Sequence, residues 1–369
     1  MARLYALDLE LGPELEVALR ECCARGHAFC VLDRRLAPRR RDEQLDRLGA
    51  TDVVNIQGTT SRTSGREVDD DVGAVILTSG SSGPAKAAEL TWDALRASAV
   101  ITQATLRGDD PPVWYPCLPA SHVGGLAVLL RSVLDDASLQ WGPSDDLEAG
   151  ARAGATHVAV VRPQLVRQDL SGYRRVLLGG GRPPEGLAEN VVTTWGMTET
   201  GSGVVYSGSP LPGVEIASVG GELLVRSPTL FRGYRDAPRP WATGPDGRSD
   251  WFPTGDGGDV INGRVRVRGR LATVITSGGE KVWPEDLEAV LSELTDIRDV
   301  AVTSTADPEW GERVVVLVVT DGENLEDAIR EQAAERIGPW AKPKEVRRVA
   351  AIPRTSNGKV RRDSLGELH

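Results

Sequence analysis

The sequence predicts an α/β protein: a large amino-terminal α/β domain with layered sheets and a β-rich subdomain, plus a small mobile α+β carboxyl-terminal domain. Three observations carry that prediction. Short apolar runs at residues 73–77, 175–178 and 191–195 each empty into loops rich in glycine or hydroxyls, and a further run stands at 156–161. Separated by helical patterns, they suit a largely parallel sheet whose ligand site lies at the carboxyl ends of its strands. From Pro210 onward the chain changes to strand pairs, one reversing at Asn262-Gly263, a strong hairpin signal. Beyond Arg270 come a helix start near Pro284, strands at 300–302 and 314–320, and a helix over 325–337. These suit a compact module of about 100 residues. The expected domains are 1–270 and 271–369.

At the amino end, Leu15, Val17, Ala18, Leu19, Cys22 and Cys23 predict an amphipathic helix to Gly26, followed by a strand at 29–32. Residues 57–71 lack periodicity and read as a polar linker. The strand at 73–77 then delivers the loop Leu77-Thr78-Ser79-Gly80-Ser81-Ser82-Gly83-Pro84-Ala85-Lys86, and a helix starts near Thr91-Trp92. Glycines there let N–H groups turn toward an anion, hydroxyls donate further hydrogen bonds, and Lys86 adds a point charge. The same composition also suits a flexible turn.

Next come a strand at 113–119, a loop presenting His122, and a glycine-assisted helix whose apolar run 126–130 ends at Arg131-Ser132. His122 alone also suits a structural loop histidine. Gly179-Gly180-Gly181 cannot continue the strand before it. Trp195-Gly196-Met197-Thr198-Glu199 offers a ring, a hydroxyl and a carboxylate that can stack a base, contact phosphate and hold a hard cation, or form a solvated turn. Asp256, read as following a tight turn at Thr254-Gly255, can accept two hydrogen bonds from a ribose diol or serve the turn's own backbone. Residues 314–319 form the longest apolar run and read as a sheet strand. Lys359 stands on a glycine-containing turn in a tail that also suits a solvated basic end.

The 369 residues carry a net charge of -10, which argues against a general nucleic-acid or anionic-membrane surface and demands a local positive site for an anionic ligand. No signal peptide or membrane span is read. Cys22, Cys23, Cys30 and Cys117 match neither a metal-ligand spacing nor a disulfide framework, so a reduced cytoplasmic protein is the simplest expectation. Of the 43 basic residues only Lys86, Lys281, Lys342, Lys344 and Lys359 are lysines, and two of these stand in the loops just named. Lys and Arg differ in shape and hydration, so these choices carry information.

The loop at 78–86, residues 195–199, Thr254-Gly255-Asp256, Gly269-Arg270, Ser277-Gly278-Gly279-Glu280 and Pro353-Arg354-Thr355 to Lys359 stand in the order and approximate spacing of the adenylate-forming acyl-CoA synthetase superfamily. The chain resembles that family over residues 71–362. The resemblance implies ATP, Mg²⁺ and coenzyme A as cofactors and a small carboxylic acid as substrate. Thr78, Ser79, Gly80, Ser81, Ser82, Gly83 and Lys86 would embrace the ATP phosphates. Trp195 would stack on adenine, Thr198 would touch phosphate, and Glu199 would hold Mg²⁺, with Gly179, Gly180 and Gly196 among the cofactor-binding positions. Asp256 and Arg270 would bind the ribose, and Gly278 and Gly279 would line the passage for the pantetheine arm. Lys359, Glu199 and His122 are the expected catalytic residues. His122 would border the acyl pocket and Arg131 would face a second carboxylate.

Within the superfamily the chain is most similar to the ligases that take o-succinylbenzoate in menaquinone biosynthesis, in their short actinobacterial form. It carries Leu118-Pro119, His122-Val123-Gly124-Gly125, Arg131-Ser132 and Pro163-Gln164-Leu165 at the corresponding places. A nine-residue spacing puts His122 and Arg131 on opposite sides of one ideal helix, so both face a pocket only if His122 precedes the helix. An arginine that merely ends the apolar run is the alternative. Other readings are a ligase for another small acid, an adenylating enzyme that loads a carrier protein, and a nucleotide-binding protein of reduced activity. The last is motivated by Ala85 and Ala87 beside Lys86, by Ala272 and Thr273 where the family commonly has acidic residues, and by a large domain about a hundred residues shorter than usual. A homodimer is compatible with the sequence, which does not set oligomeric state.

Overall fold

The computed structural model describes residues 1–78, 85–108, 110–237, 239–322, 325–354 and 360–368. Ser79, Gly80, Ser81, Ser82 and Gly83 of the phosphate loop, and Lys359, lie outside the described residues.

The first sheet is built from β1 (Leu4–Leu7), β2 (Ala28–Val31), β3 (Asp52–Asn55), β4 (Gly58–Ser61), β5 (Val72–Leu77) and β6 (Ala87–Thr91). The helices α1 (Pro13–Arg25) and α2 (Pro38–Leu48) connect its first strands. Pro at the first helical turn and a left-handed glycine, Gly26 or Gly49, after the last bound both helices. β1, β2, β3 and β5 run parallel, whereas β4 and β6 are antiparallel to their neighbours. Residues 58–61, expected in a linker, therefore form an edge strand. All four are exposed, so no apolar alternation marks them. Backbone pairing with β3 holds them, and Ser61 donates from Oγ to the buried Asp52 at 2.8 Å.

A second sheet follows, with β7 (Val113–Tyr115), β8 (Ser138–Leu139), β9 (His157–Val161), β10 (Arg175–Gly179), β11 (Val191–Met197), β12 (Ser202–Tyr206) and β13 (Ser209–Pro210). Order runs β13-β12-β11-β10-β9-β7-β8; the five from β11 to β8 are parallel and the last hairpins antiparallel. Between the sheets lie α3 (Trp92–Leu106) and α4 (Val123–Leu134), while α5 (Leu147–Arg152) and α6 (Arg162–Arg167) connect later strands. Thr91 caps α3 by accepting from Ala94 N at 3.1 Å. α4 is buried almost all round, from Gly125 to Ser132, because α1, α3 and the second sheet pack on it. Its apolar run is thus a core helix.

The β-rich part pairs β14 (Glu215–Val219) with β15 (Glu222–Arg226), sends β16 (Gly233–Tyr234) back to β6 of the first sheet, and continues with β17 (Phe252–Ile261) and β18 (Arg264–Arg270). Asn262 and Gly263, at φ 51° and 74°, make the two-residue turn between β17 and β18. Asp256 does not follow a turn as expected: it stands inside β17, opposite Arg270. The local signal Thr-Gly-Asp reflects a kink at Gly255, whose φ of 70° is reached without strain only by glycine.

The last sheet holds β19 (Ile275–Ser277), β20 (Glu280–Val282), β21 (Ile297–Asp307), β22 (Gly311–Thr320) and β23 (Glu345–Arg348), with α7 (Pro284–Leu291) and α8 (Glu326–Arg336). Its strand β22 explains the longest apolar run. Val314, Val316 and Val318 pack with Leu287, Leu291 and Ile329, while Val315, Leu317 and Val319 pack with Ile352 and Leu365 on the other face. Both faces are buried, so every position is apolar, each side chain contributing about 1.5–3 kcal/mol. These two clusters share no residue with the core that contains Leu7, Phe29, Trp114 and Phe231. Among the described residues no helix is long and apolar enough to cross a membrane, and Cys22, Cys23, Cys30 and Cys117 are all free thiols.

Candidate active site

The ends of the phosphate loop are pinned to each other. Thr78 N donates to the Lys86 carbonyl at 2.8 Å, and Lys86 N donates to Thr78 Oγ1 at 3.2 Å, closing the exit of β5 onto the entry of β6. Ala87 is the first residue of β6 and is buried. The Lys86 ammonium lies 4.9 Å from the centre of the Tyr234 ring.

At the carboxyl end of β11 a bulge between Trp195 and Gly196 leads into the one-turn helix Thr198–Thr200. Thr200 Oγ1 accepts from Met197 N at 2.8 Å and fixes that turn. The Glu199 carbonyl accepts from Phe231 N, and Glu199 Oε1 accepts from the Tyr234 hydroxyl, both at 2.8 Å. Burial first, and then the Glu199 carboxylate, push the Tyr234 phenol well above its ordinary value, so it donates as the neutral form.

Trp195 and Asp256 come from different sheets and meet here. The indole Nε1 donates to Asp256 Oδ2 at 2.8 Å, while Arg270 Nε lies 3.0 Å from Asp256 Oδ1 and Arg270 Nη1 donates to the Thr254 carbonyl at 2.8 Å. Sixty-one residues separate the Trp and the Asp in sequence; the β17–β18 hairpin brings the carboxylate and its arginine to the end of β11.

His122 immediately precedes α4, as the N-cap. It is placed there because α4 starts tight against the preceding loop: a Cβ on Gly125 would lie 2.3 Å from the Pro119 carbonyl oxygen, so only glycine fits. The His122 Nε2 is 3.2 Å from Arg35 Nη2 and 3.8 Å from Asp33 Oδ2. Burial opposes ionisation of Asp33, but Arg35, donating at 2.8 and 2.6 Å, holds its carboxyl below the ordinary value. Arg35, Leu118, Pro119, Val161, Pro163 and Gln164 line an open cleft of about 380 Å³.

The apolar run stops at Arg131 but the helix does not, since α4 continues to Leu134. The residue is only 3% exposed, and its guanidinium stacks 4.1 Å from the centre of the Trp114 ring. Nε and Nη1 are buried and have no hydrogen-bond partner among the described residues. Nine residues correspond to about 13.5 Å of helix axis from His122, shortened by the tilt of helical side chains toward the amino end.

Gly179 ends β10 and Gly180 follows it at φ 86°. Gly278 and Gly279, at φ 60° and 84°, form the β19–β20 turn, and Gly278 N donates to the Trp310 carbonyl at 2.9 Å. Near the nucleotide cluster, the Trp283 indole covers Gly257, the residue after Asp256, and Arg182 pairs with Asp286 of α7. Sequence reasoning missed Tyr234, Arg35 and Asp33. The Gly233-Tyr234 pair next to an arginine carried no local chemical signal; only folding places the phenol on Glu199.

The residues fit a nucleotide with a divalent cation. Mg²⁺ takes one or two protein carboxylates and draws its other ligands from phosphates and water. Among the described residues no group of three or more His, Cys, Asp or Glu side chains converges, and Glu199 is the one candidate carboxylate beside Thr198.

Residues 13–235 match the family described as AMP-binding enzyme, and residues 286–359 match its carboxyl-terminal domain. The chain belongs to the AMP-binding enzyme family. A Mycobacterium tuberculosis protein named "Probable 2-succinylbenzoate--CoA ligase" is 36% identical over 357 residues, covering 86% of this chain and 92% of the relative. The Escherichia coli 2-succinylbenzoate–CoA ligase is 31% identical, covering 80% of this chain and 68% of its own. Among solved structures, the Bacillus subtilis o-succinylbenzoate CoA synthetase in complex with an acyl-adenylate intermediate superposes with a TM-score of 0.83 at 23% identity, covering 98% of this chain and 88% of that one. ATP-bound MatB from Rhodopseudomonas palustris gives 0.83 at 20%, covering 100% and 88%. At these identities the two structures establish the fold.

Proposed function

We propose that this member of the AMP-binding enzyme family is an ATP-dependent acid–CoA ligase acting through an acyl-adenylate, and that its acid is 2-succinylbenzoate. The observation that carries the class is the junction of Trp195, Asp256 and Arg270 beside Glu199 and the pinned ends of the phosphate loop. The acid rests on the relatives named for it, two of which are more than 30% identical to this chain over most of its length.

In the first half-reaction a carboxylate oxygen of the acid attacks the α-phosphorus of ATP and diphosphate leaves. In the second a thiol attacks the acyl carbon and AMP leaves with the electron pair of the acyl–oxygen bond. No protein nucleophile is needed; positioning and fixed charge do the work. Thr78, Lys86 and the loop between them hold the β- and γ-phosphates. Trp195 stacks on adenine with its edge fixed by Asp256, and Asp256 with Arg270 takes the ribose. Glu199, beside Thr198, holds Mg²⁺, which supplies charge neutralisation at the phosphates when bound. Lys359 steadies the charge that develops as the carboxylate attacks.

His122 borders the acyl pocket. Arg131 meets the second carboxylate: a desolvated cation with unpartnered N–H groups is what such an anion would satisfy. Gly278 and Gly279 guide the pantetheine arm after the carboxyl-terminal domain, taken as 271–369, rotates on 1–270. The reduced thiols suit a cytoplasmic enzyme, and a homodimer is compatible with the reading.

The test is product analysis of purified protein with ATP, Mg²⁺, CoA and a panel of acids. AMP and the aryl-succinyl thioester are expected with 2-succinylbenzoate. Turnover only with benzoates or fatty acids would remove the acid and keep the class.

A further inference from the structure

Tyr234 touches both halves of the phosphate site, and neither the motifs nor the family match gives it a task. We infer that Tyr234 is a positioning residue that aims the Glu199 carboxylate at the divalent cation of the bound nucleotide and ties that carboxylate to the exit of the phosphate loop. The inference rests on the reading of Glu199 as the residue that holds Mg²⁺.

The contacts around Tyr234 support it. The Tyr234 hydroxyl donates to Glu199 Oε1 at 2.8 Å, fixing one oxygen and with it the plane of the carboxylate. Three residues earlier, Phe231 N donates to the Glu199 carbonyl at 2.8 Å, so the backbone and side chain of Glu199 are both held by one short segment. That segment becomes β16, whose Gly233 and Tyr234 pair with Glu89 and Ala88 of β6, the strand that begins directly after Lys86. The Tyr234 ring in turn lies 4.9 Å from the Lys86 ammonium and edge-on to Phe231, with centroids 4.8 Å apart. Phe231 is fully buried and meets Phe252 at 5.2 Å, which anchors the segment in the core.

The physical need is specific to the cation. Mg²⁺ demands near-ideal octahedral geometry, so a carboxylate free to rotate about its last torsion loses much of its value as a ligand. Glu199 sits on a one-turn helix, too short to order its side chain by itself. The phenol supplies that order. The ring and the hydroxyl are separable: the ring serves Lys86 through its face, the hydroxyl serves Glu199.

The experiment measures ATP binding by titration calorimetry at a series of Mg²⁺ concentrations and in EDTA, for wild type, Tyr234→Phe, Glu199→Gln and the double variant. Tyr234→Phe keeps the ring and its packing. It should weaken Mg²⁺-supported ATP binding about tenfold, the effect of losing one hydrogen bond to a charged group, and leave binding in EDTA unchanged. In the double variant the Tyr234 substitution should add nothing to Glu199→Gln. Equal losses with and without Mg²⁺, or additive losses in the double variant, would overturn the positioning role while leaving the ligase reading intact. If Mg²⁺ fails to strengthen ATP binding to wild type, or Glu199→Gln leaves the Mg²⁺ dependence unchanged, the Glu199 reading falls and this inference falls with it. Melting temperatures of all variants, compared without nucleotide, report whether the fold is kept.

Discussion

The Trp195 indole nitrogen donates to the Asp256 carboxylate at 2.8 Å, joining the end of the parallel sheet to the β-rich hairpin. An aromatic face is thereby held by a group whose other oxygen is paired with Arg270 at 3.0 Å. The two sheets are coupled at the place where a nucleoside is proposed to sit.

Asp256→Asn should therefore weaken AMP and ATP together. The substitution removes the ion pair with Arg270 and leaves one amide oxygen for two donors, Trp195 and Arg270. A hydrogen bond to a charged group is worth about 1.5–3 kcal/mol, so affinity should drop by about 10- to 100-fold in calorimetric titration. Unchanged AMP affinity would remove Asp256 from the nucleotide site.

Arg131→Met should separate stability from specificity. Two nitrogens of the buried guanidinium have no partner among the described residues, a cost that a thioether of similar length avoids, offset by the lost stacking on Trp114. The melting temperature of the ligand-free protein should stay level or rise, while the dicarboxylic acid weakens more than a mono-acid analogue. A large fall in melting temperature without a selective effect on the two acids would make Arg131 structural.

His157 sets a pH window for stability. Its side chain is fully buried, and desolvation lowers its pKa from 6.5 to about 4. A lowered folded value means that between these two limits the unfolded chain binds a proton that the native protein excludes. Stability should therefore fall as the pH drops through that window, by about 3 kcal/mol at pH 4 from this residue. Denaturant unfolding of wild type and His157→Gln from pH 7 to pH 4 measures it; parallel curves would contradict the assignment.

Arg362 should be the strongest single tie in the carboxyl-terminal sheet. It donates to Glu288 at 2.9 and 3.1 Å, to Glu285 at 3.0 Å and to the Val302 carbonyl at 2.8 Å. Arg362→Met strands two half-buried carboxylates, and breaking a buried pair from one side costs about 3–5 kcal/mol. Chemical unfolding should show the loss; a change below about 0.5 kcal/mol would place these contacts among weak surface pairs.

Much of the fold was legible because the periodicity is unambiguous where both faces are buried. Val314 to Val319 read as a sheet strand, and Asn262-Gly263 as a strong hairpin signal. Strand β4 was hidden: Gly-Thr-Thr-Ser has no apolar face, and its pairing is carried by backbone groups that any residue possesses. Asp256 was found as a chemical group but misplaced locally, because Thr-Gly-Asp reads as a turn while cross-strand pairing to Arg270 keeps it extended. Tyr234 could not be found from spacing at all. Its two partners, Lys86 and Glu199, lie far away in sequence, and only the return of β16 to the first sheet brings the three together.

An acyl-adenylate should form before CoA is needed. The direct measurement is exchange of labelled diphosphate into ATP with 2-succinylbenzoate and Mg²⁺ but no CoA, run for wild type and Lys359→Ala. Reaction in that order requires acid-dependent exchange by wild type and a much slower exchange by Lys359→Ala, with thioester formation from preformed acyl-adenylate far less affected. Exchange that requires CoA, or that proceeds without the acid, would contradict it.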